Sequence, residues 1–471
     1  MRQILASISA LLLSVFVLVL GYGIQTTLLP LAAAQADFTE TQIGLMSSGY
    51  FIGMVLGCIG APHVIMRAGH IRAYAAMVSL MSAAAIIHPI FVDPTAWFVL
   101  RLISGFCLAA FYMVTESWLN ERATNDNRGM VMSMYIVVLF GSLMIGQVSI
   151  SVMDISSFVP YAIASVAASL AVVPVALTTA TQPAPIALVQ FRPIKIYKQS
   201  PAAIVGVLLV GIANGALLTL AALYGSQIGL STQEAAIYSA AILAGGILAQ
   251  WPIGRLSDRV DRRLVLVGLG GLTAIASLMI VLLSPTGFYM AAALAVLVGV
   301  FSQPAYAIAT AHGFDYAAPE DFVETTSGLL LSFGIGSVIG PVTASILMAN
   351  FGPSGLYIMV VVVEVILVIY LLTRLYARSA LTPDEKTDFE YAATAQVGTV
   401  ISPEPLDVDA DNVIPPEEFP AYDDPIYSPE AEEITEEVIL VDDGDDLDEQ
   451  DADFDAPDHD AVIHSTDGKK E

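Results

Sequence analysis

The stretch "GRLSDRVDRR", from Gly254 to Arg263, places six charged residues in ten positions. Charged residues make up only 13% of the chain, and the segments on both sides are apolar for about twenty residues each. Arginines between two apolar segments are typical of a loop that stays in the cytoplasm when a protein inserts into a membrane. The two carboxylates, Asp258 and Asp261, are not needed for that purpose and require another explanation.

Composition predicts a membrane-embedded body followed by an acidic tail. The chain has 471 residues, of which 56% are hydrophobic, and its mean hydropathy is +0.72. These values are far above those of soluble domains. Residues 379–471 contain 30 acidic and 3 basic residues, which leaves 15 of each in residues 1–378 (45 minus 30, and 18 minus 3). The tail therefore carries the whole net charge of −27, and we predict that it is disordered.

Twelve stretches are long and apolar enough to span a bilayer as helices. They are 8–33, 43–62, 71–92, 95–118, 129–152, 157–180, 201–225, 233–254, 263–283, 287–312, 325–348 and 355–376. One long connector divides them into six plus six. We therefore predict an all-α membrane protein with a six-helix bundle over 1–180, a cytoplasmic linker over 181–200, a second bundle over 201–378 and the tail over 379–471.

Two further patterns support this organisation. With the N-terminus in the cytoplasm, the six external loops contain no Lys or Arg, and the only basic residue inside a helix is Arg101. The halves also resemble each other, because "TQIGLMSSGYFIGMVLG" after the first stretch matches "TQEAAIYSAAILAGGIL" after the seventh. Repeated six-helix halves are typical of transporters, in which two similar bundles move about a site between them.

The opening stretch also resembles a family motif. It is similar to the loop Gly-x-x-x-Asp-Arg-x-Gly-Arg-Arg of the major facilitator superfamily, with Asp261 in place of the second glycine. The matching residues are Gly254, Asp258, Arg259, Arg262 and Arg263. "RLISGFCLAA" in the fourth stretch and "GIGSVIGP" in the eleventh resemble two further motifs of the superfamily, and "ESWLNERATNDNRG" is similar to its YcaD-like bacterial branch. The resemblance covers the body of the chain without the tail. It implies twelve transmembrane helices in two pseudo-symmetric six-helix bundles, in a bacterial inner membrane with both termini cytoplasmic.

The resemblance implies a role for the carboxylate in the loop. In the family, such an aspartate faces the N-terminus of a helix in the other half, where free N–H groups favour an anion. We predict crossed contacts that close a cytoplasmic gate in the outward-facing state, with a solvated loop that serves topology alone as the alternative. One set joins Asp258 and its arginines to the fifth helix and to Glu116 or Glu121, and the other joins Arg67 and Arg72 to Glu320, Asp321 or Glu324. Met66 stands where the first-half loop would carry its aspartate, so the stronger contact is expected at Asp258.

Three ionisable residues lie within predicted helices, where a charge is a sign of function. Arg101 matches an arginine that is linked to coupling in proton-coupled family members, although its side chain could instead extend to the outer headgroups. Glu116 lies near the cytoplasmic end of the fourth helix, which favours a gate residue over a substrate ligand. Glu364, in the middle of the twelfth helix, is either a structural residue or a proton site.

Family architecture places helices 1, 4, 7 and 10 around the substrate cavity. The polar and aromatic side chains on these helices are Tyr22, Gln25, Tyr112, Asn214, Gln303 and Tyr306. Each either lines the substrate path or serves helix packing. Such a lining suits amphiphilic or moderately polar solutes.

The sequence contains no phosphate-binding glycine loop and no metal-ligand or catalytic-triad spacing, so we predict no enzymatic activity, cofactor or metal and no nucleic-acid partner. We predict a secondary active transporter that moves a small organic solute by alternating access, through proton-coupled export. An uptake symporter or facilitated carrier stays open, as does a membrane sensor or scaffold that acts through the tail. The expected partners are the small-molecule substrate, a proton or other coupling ion, the lipid bilayer and a protein bound by the tail.

Overall fold

A computed structural model describes residues 2–122, 128–177, 193–318 and 321–377. Within them, twelve helical segments are long and apolar enough to cross a membrane, which confirms the twelve predicted spans. The helices are α1 (Arg2–Gln35), α2 (Glu40–Ala68), α3 (His70–Ile87), α4 (Pro94–Arg122), α5 (Arg128–Ser149), α6 (Val159–Ala176), α7 (Pro193–Gln199), α8 (Pro201–Gln227), α9 (Thr232–Arg259), α10 (Arg262–Leu283), α11 (Phe288–Ser302), α12 (Ala305–Phe314), α13 (Phe322–Phe351) and α14 (Gly355–Ala377). The tail, with its predicted disorder, and most of the predicted linker lie outside the described residues.

The tenth predicted span is interrupted. α11 ends at Ser302 and α12 begins at Ala305, with Gln303 and Pro304 in a turn between them. A proline has no N–H to bond the preceding turn, and its ring clashes with a carbonyl of that turn, so the helix kinks here although Gln303 and Pro304 keep helical backbone angles. The predicted span over 287–312 is present as Phe288–Phe314, with a kink at Pro304 that the sequence analysis did not predict. Backbone groups freed at membrane depth are tolerated where a helix lines a cavity or packs on protein.

The sequence repeat has a structural counterpart at the start of α2 and α9. The Thr39 hydroxyl accepts a hydrogen bond from the N–H of Gln42, and the Gln42 side chain accepts one from the N–H of Thr39. Ser231 and Glu234 form the same reciprocal pair before α9. These capping boxes satisfy N–H groups that a first helical turn leaves open. They begin the second transmembrane helix of each half at equivalent positions.

Glycines repeat the same packing in both halves. A Cβ at Gly53 on α2 would overlap the carbonyl oxygen of Leu102 on α4. Gly245 on α9, 192 positions later (245 minus 53), has the same relation to Val296 on α11. This close approach requires glycine at both sites, because any side chain would separate the helices. The predicted pseudo-symmetric halves, α1–α6 and α8–α14, are confirmed.

The two halves meet mainly through three helix pairs, α2 with α13, α5 with α9, and α1 with α8. Helix directions alternate, so the connections fall at two ends of the bundle. We call one end the terminal face, which carries the connections 68–70, 259–262 and 314–322. The other end is the opposite face, which carries the connections 35–40, 227–232 and 351–355.

Candidate functional site

A buried arginine forms the centre of a polar cluster in the N-terminal half. Arg101 on α4 is only 2% exposed, and its guanidinium carbon lies 4.6 Å from the centre of the Tyr50 ring on α2. The Tyr50 ring is in turn stacked on Tyr22 of α1, with 5.2 Å between the ring centres. A cation over an aromatic face is attracted by the electrons of the ring, and the attraction is stronger away from water. Arg101 therefore lies inside the bundle and does not extend to the headgroups.

Several polar atoms of this cluster have no hydrogen-bond partner among the described residues. They are Nη1 of Arg101 and both side-chain polar atoms of Gln25, while the hydroxyl of Tyr22 faces Arg101. Within the described part of the chain, Arg101 also forms no ion pair with a carboxylate. Buried polar groups are normally paired, because burial without a partner is costly. We call Tyr22, Gln25, Tyr50 and Arg101 the Arg101 cluster; it could satisfy a bound molecule that carries hydrogen-bond acceptors.

The carboxylate of Glu116 is buried on the same helix, nearer the terminal face. It is 1% exposed and accepts a hydrogen bond of 3.0 Å from the hydroxyl of Tyr135 on α5. Tyr112 lies one turn earlier on α4, and Tyr306 of the C-terminal half is within electrostatic reach of Glu116. The structure thus brings three predicted residues, Glu116, Tyr112 and Tyr306, close together. Glu116 was predicted as a gate partner of Asp258, and in the described residues its carboxylate is instead bonded inside the bundle to Tyr135 of the fifth transmembrane helix.

Two candidates lie at the break between α11 and α12. The side-chain amide of Asn214 donates to the carbonyl of Ser302 at 3.2 Å, so it links α8 to the end of α11. This contact favours the packing alternative for Asn214. Gln303 instead lines a largely apolar cavity of about 300 Å³ between α5 and α9, together with Gln250, Phe140 and Met144.

The charged loop after α9 is folded onto its own half. Arg262 lies 3.3 Å from Asp258 and 3.5 Å from Asp315. Asp261 accepts a hydrogen bond from the backbone N–H of Arg263 and forms a 2.7 Å ion pair with its side chain. Burial opposes the charge of Asp261, but the hydrogen bonds from Arg263 outweigh it and hold its pKa below the usual value. Asp261, which stands in place of a glycine of the family motif, is the N-cap of α10.

The acids before and within α13 pair with the linker. Lys195 on α7 lies 2.6 Å from Asp321 and 3.2 Å from Glu324, and these hydrogen bonds raise its pKa. Arg67 and Arg72 are exposed at the end of α2 and the start of α3. Among the ion pairs between described residues, neither arginine pairs with Asp321 or Glu324. In the same set, Asp258 does not pair with Glu116 or with the exposed Glu121. Glu320 lies outside the described residues.

The halves are in contact toward the opposite face. The hydroxyl of Ser48 on α2 donates to the carbonyl of Val338 on α13 at 2.7 Å, and Gly44 lies against Ser345. At the end of α8, Gln227 donates to Glu40 at 3.3 Å. The predicted gate belongs to the terminal face. Its crossed contacts therefore stay a prediction for a conformation in which that face is closed.

Glu364 is buried far from the Arg101 cluster, in the C-terminal half. It is 2% exposed on α14, and its Oε2 atom has no hydrogen-bond partner among the described residues. This oxygen lies beside Gly270 on α10, and the unpartnered hydroxyls of Thr273 and Ser277 follow at helical spacing on the same helix. The structure does not bring the two coupling candidates, Arg101 and Glu364, together.

Sequence reasoning missed several residues of these sites. Tyr50 and Tyr135 were not predicted because the family architecture points to helices 1, 4, 7 and 10. Both residues lie on flanking helices. The pairing of Lys195 depends on the position of α7, which composition does not reveal. The proline after Gln303 was the one available signal for the helix break.

Two repeated six-helix halves that pack around buried polar residues define a membrane transport protein. The chain belongs to the Major Facilitator Superfamily, which it matches over residues 11–286 and again over 203–406. The second match begins almost at the start of α8, in agreement with the repeat.

Similar proteins and structures agree with this assignment. An uncharacterized MFS-type transporter of Enterobacter sp. strain 638 is 30% identical over 371 residues, which are 77% of this chain and 94% of that protein. The uncharacterized MFS-type transporter YcaD of Salmonella typhimurium is 29% identical over 369 residues, with the same coverage. The crystal structure of a bacterial homolog of the human lysosomal transporter Spinster has a TM-score of 0.66 at 14% identity and covers 81% of this chain and 97% of that one. The nucleoside transporter NupG has a TM-score of 0.63 at 14% identity, with 77% and 98% covered. The chain is thus an MFS transporter that crosses the membrane several times.

Proposed function

We propose that this transporter exports a small organic solute by alternating access, with the Arg101 cluster as part of the substrate path. The observation that carries this proposal is the buried guanidinium of Arg101, which has no carboxylate partner within the described residues. A solute with a carboxylate or another acceptor-rich group would provide the missing partner. The rings of Tyr22 and Tyr50 would hold an apolar part of the same solute. These features favour an amphiphilic substrate.

The direction of access follows from an orientation that we also propose. Basic residues collect at the terminal face, where Arg67, Arg72, Lys198, Arg255 and Arg259 lie, so this face is cytoplasmic in a bacterial inner membrane. Both termini are then cytoplasmic. Contacts between the halves at the opposite face would represent a state in which the site is closed to the outside. The crossed gate contacts would form when the terminal face closes instead.

Proton coupling is the energy source that we propose. Glu364 and Glu116 are buried carboxylates on different halves, and a buried carboxylate can exchange a proton when its surroundings change. Arg101 would hold the charge of the solute, while a buried carboxylate elsewhere in the bundle would carry the proton, so that the two are linked through the change of conformation. The domain boundaries predicted from the sequence fit this mechanism, with 1–180 and 201–378 as the moving halves.

Proteoliposomes with an imposed pH gradient test the proposal. A screen of amphiphilic carboxylates is expected to yield a solute whose movement follows the gradient in the native protein and stops in Arg101→Ala. Arg101→Lys keeps the charge without the planar group and is expected to retain only partial activity. Transport of the same solute at the native rate by Arg101→Ala would contradict the role of the cluster. Transport without response to the gradient would contradict proton coupling.

A further inference from the structure

A second cavity lies at the terminal face of the C-terminal half. Its volume is about 190 Å³, and its lining residues include Lys198, Ser200, Ala202, Arg263, His312 and Arg374. None of the residues that line it is acidic. We call it the basic cavity. It is distinct from the Arg101 cluster, which lies in the other half of the molecule.

One wall of the basic cavity contains a buried hydroxyl without a partner. Ser200 is 3% exposed, and its Oγ atom has no hydrogen-bond partner among the described residues. Ser200 is the N-cap of α8, a position at which serine normally accepts a hydrogen bond from the first turn, yet its side chain caps nothing. The hydroxyl is therefore available to a molecule in the cavity.

The start of α8 adds further donors. Pro201 is the first residue of the helix, and Ala202 lines the cavity directly. The first N–H groups of a helix have no acceptor within the helix, and the helix dipole makes this end positive. A 27-residue helix thus begins at the cavity with its positive end.

Side-chain charge at the cavity is also positive. Arg263 is neutralised by Asp261 and donates to the carbonyl of Arg374 at 3.0 Å. Among the ion pairs of the described residues, Lys198 and Arg374 have no carboxylate partner. The guanidinium of Arg374 rests 5.6 Å from the centre of the Tyr370 ring. Two cations therefore face a cavity that already holds unpaired donors.

We propose that the basic cavity binds the phosphate group of an anionic phospholipid. The cavity lies where transmembrane helices end, which is the depth of lipid headgroups. α7 borders it and exposes Ile194 and Tyr197 beside Lys198, a pattern that suits the membrane interface. Phosphate oxygens accept hydrogen bonds from the Ser200 hydroxyl and the N–H groups of α8, while Lys198 and Arg374 balance the charge.

Lipid nanodiscs test this assignment on the full chain. The native protein is compared in phosphatidylcholine with and without phosphatidylglycerol, by thermal unfolding and by native mass spectrometry of bound lipid. Phosphatidylglycerol is expected to raise the Tm and to remain bound. The double variant Lys198→Gln, Arg374→Gln is expected to lose the shift and the bound lipid, and Ser200→Ala to lose part of both. Arg255→Gln, which removes an exposed charge outside the cavity at the same face, should retain both.

Three results would overturn the proposal. An equal Tm shift in the native protein and the double variant would place the lipid elsewhere. A shift that inorganic phosphate alone reproduces in phosphatidylcholine would mean that the ligand is a soluble anion. If the native protein showed no preference for phosphatidylglycerol, the cavity would not hold an anionic lipid. Occupation of the cavity by acidic residues of the chain's own tail would give this result.

Discussion

The positive charge of Arg101 lies inside the bundle and is stabilised by neighbouring side chains. Its guanidinium lies over the Tyr50 ring, and the Tyr22 ring is stacked on that of Tyr50. No carboxylate among the described residues shares its charge, so the aromatic contact is its main compensation when no solute is bound. Removal of the ring should therefore affect both the fold and the transport step.

Tyr50→Leu is expected to lower the free energy of unfolding by about 2 kcal/mol, the value of a desolvated cation–π contact. It should also reduce transport, because the guanidinium loses its position. Tyr50→Phe retains the ring and is the matched control, with stability and transport close to native. Thermal unfolding in lipid and uptake into proteoliposomes measure the two effects. Equal behaviour of the Leu and Phe variants would contradict the role of the ring.

Glu364 provides a second test at the level of one residue. If it carries the coupled proton, Glu364→Gln should abolish proton movement while solute binding is retained, because glutamine has a similar shape without a titratable group. Asp37→Asn is the control, since Asp37 is exposed and its positive φ of 59° suits asparagine. A pH-sensitive dye in the liposome lumen reports proton movement. Native proton movement in Glu364→Gln would transfer the role to another group, with Glu116 next to be tested.

Helices were predictable from the sequence, whereas their contacts were only partly so. Long apolar runs identify the twelve spans because the bilayer demands them, and the repeat identifies the halves. The interruption between α11 and α12 at Pro304 was not predicted, because a run of apolar residues looks the same for one helix and for two. Lys195 and Tyr135 were missed as partners because pairing is determined by which helices meet. Glycine alone does not show where helices pack closely: Gly146, Gly336 and Gly340 contact the backbone of a neighbouring helix, but Gly141 faces open space.

The repeated glycine contacts give a prediction for helix pairs. Gly53→Ala and Gly245→Ala should each destabilise the protein by about 1–3 kcal/mol, because the added Cβ overlaps a carbonyl oxygen of the facing helix. Gly268→Ala is the matched control, since Gly268 is exposed on α10 with no atom near the added Cβ. It should leave stability unchanged or slightly raised. Thermal unfolding in lipid compares the three, and a Gly53→Ala variant as stable as Gly268→Ala would refute the packing argument.

The two similar halves pack against each other along α2 and α13, from Gly44 with Ser345 near the opposite face to Val55 with Gly334 in the middle of the bundle. The contact of Ser48 with Val338 lies on the side of the opposite face, whereas the ion pairs that Arg262 forms with described residues at the terminal face, Asp258 and Asp315, lie within the C-terminal half. In alternating access about the Arg101 cluster, one of the two states must have the halves joined at the opposite face and apart at the terminal face. The other state must open the opposite face and bring the charged loop near the start of α5.

Paired spin labels at the two faces test this central claim most directly. The native cysteines, Cys58 and Cys107, are first replaced by alanine. One pair of labels is placed at the opposite face, at Val152 and Tyr289, and the other at the terminal face, at Met66 and Leu256. All four positions are exposed. As pH and transported solute are varied, the distance should increase at one face while it decreases at the other. Charge reversal at Asp258 should favour the state that is open at the terminal face. Distances that stay fixed, or that change in the same direction at both faces, would contradict the account.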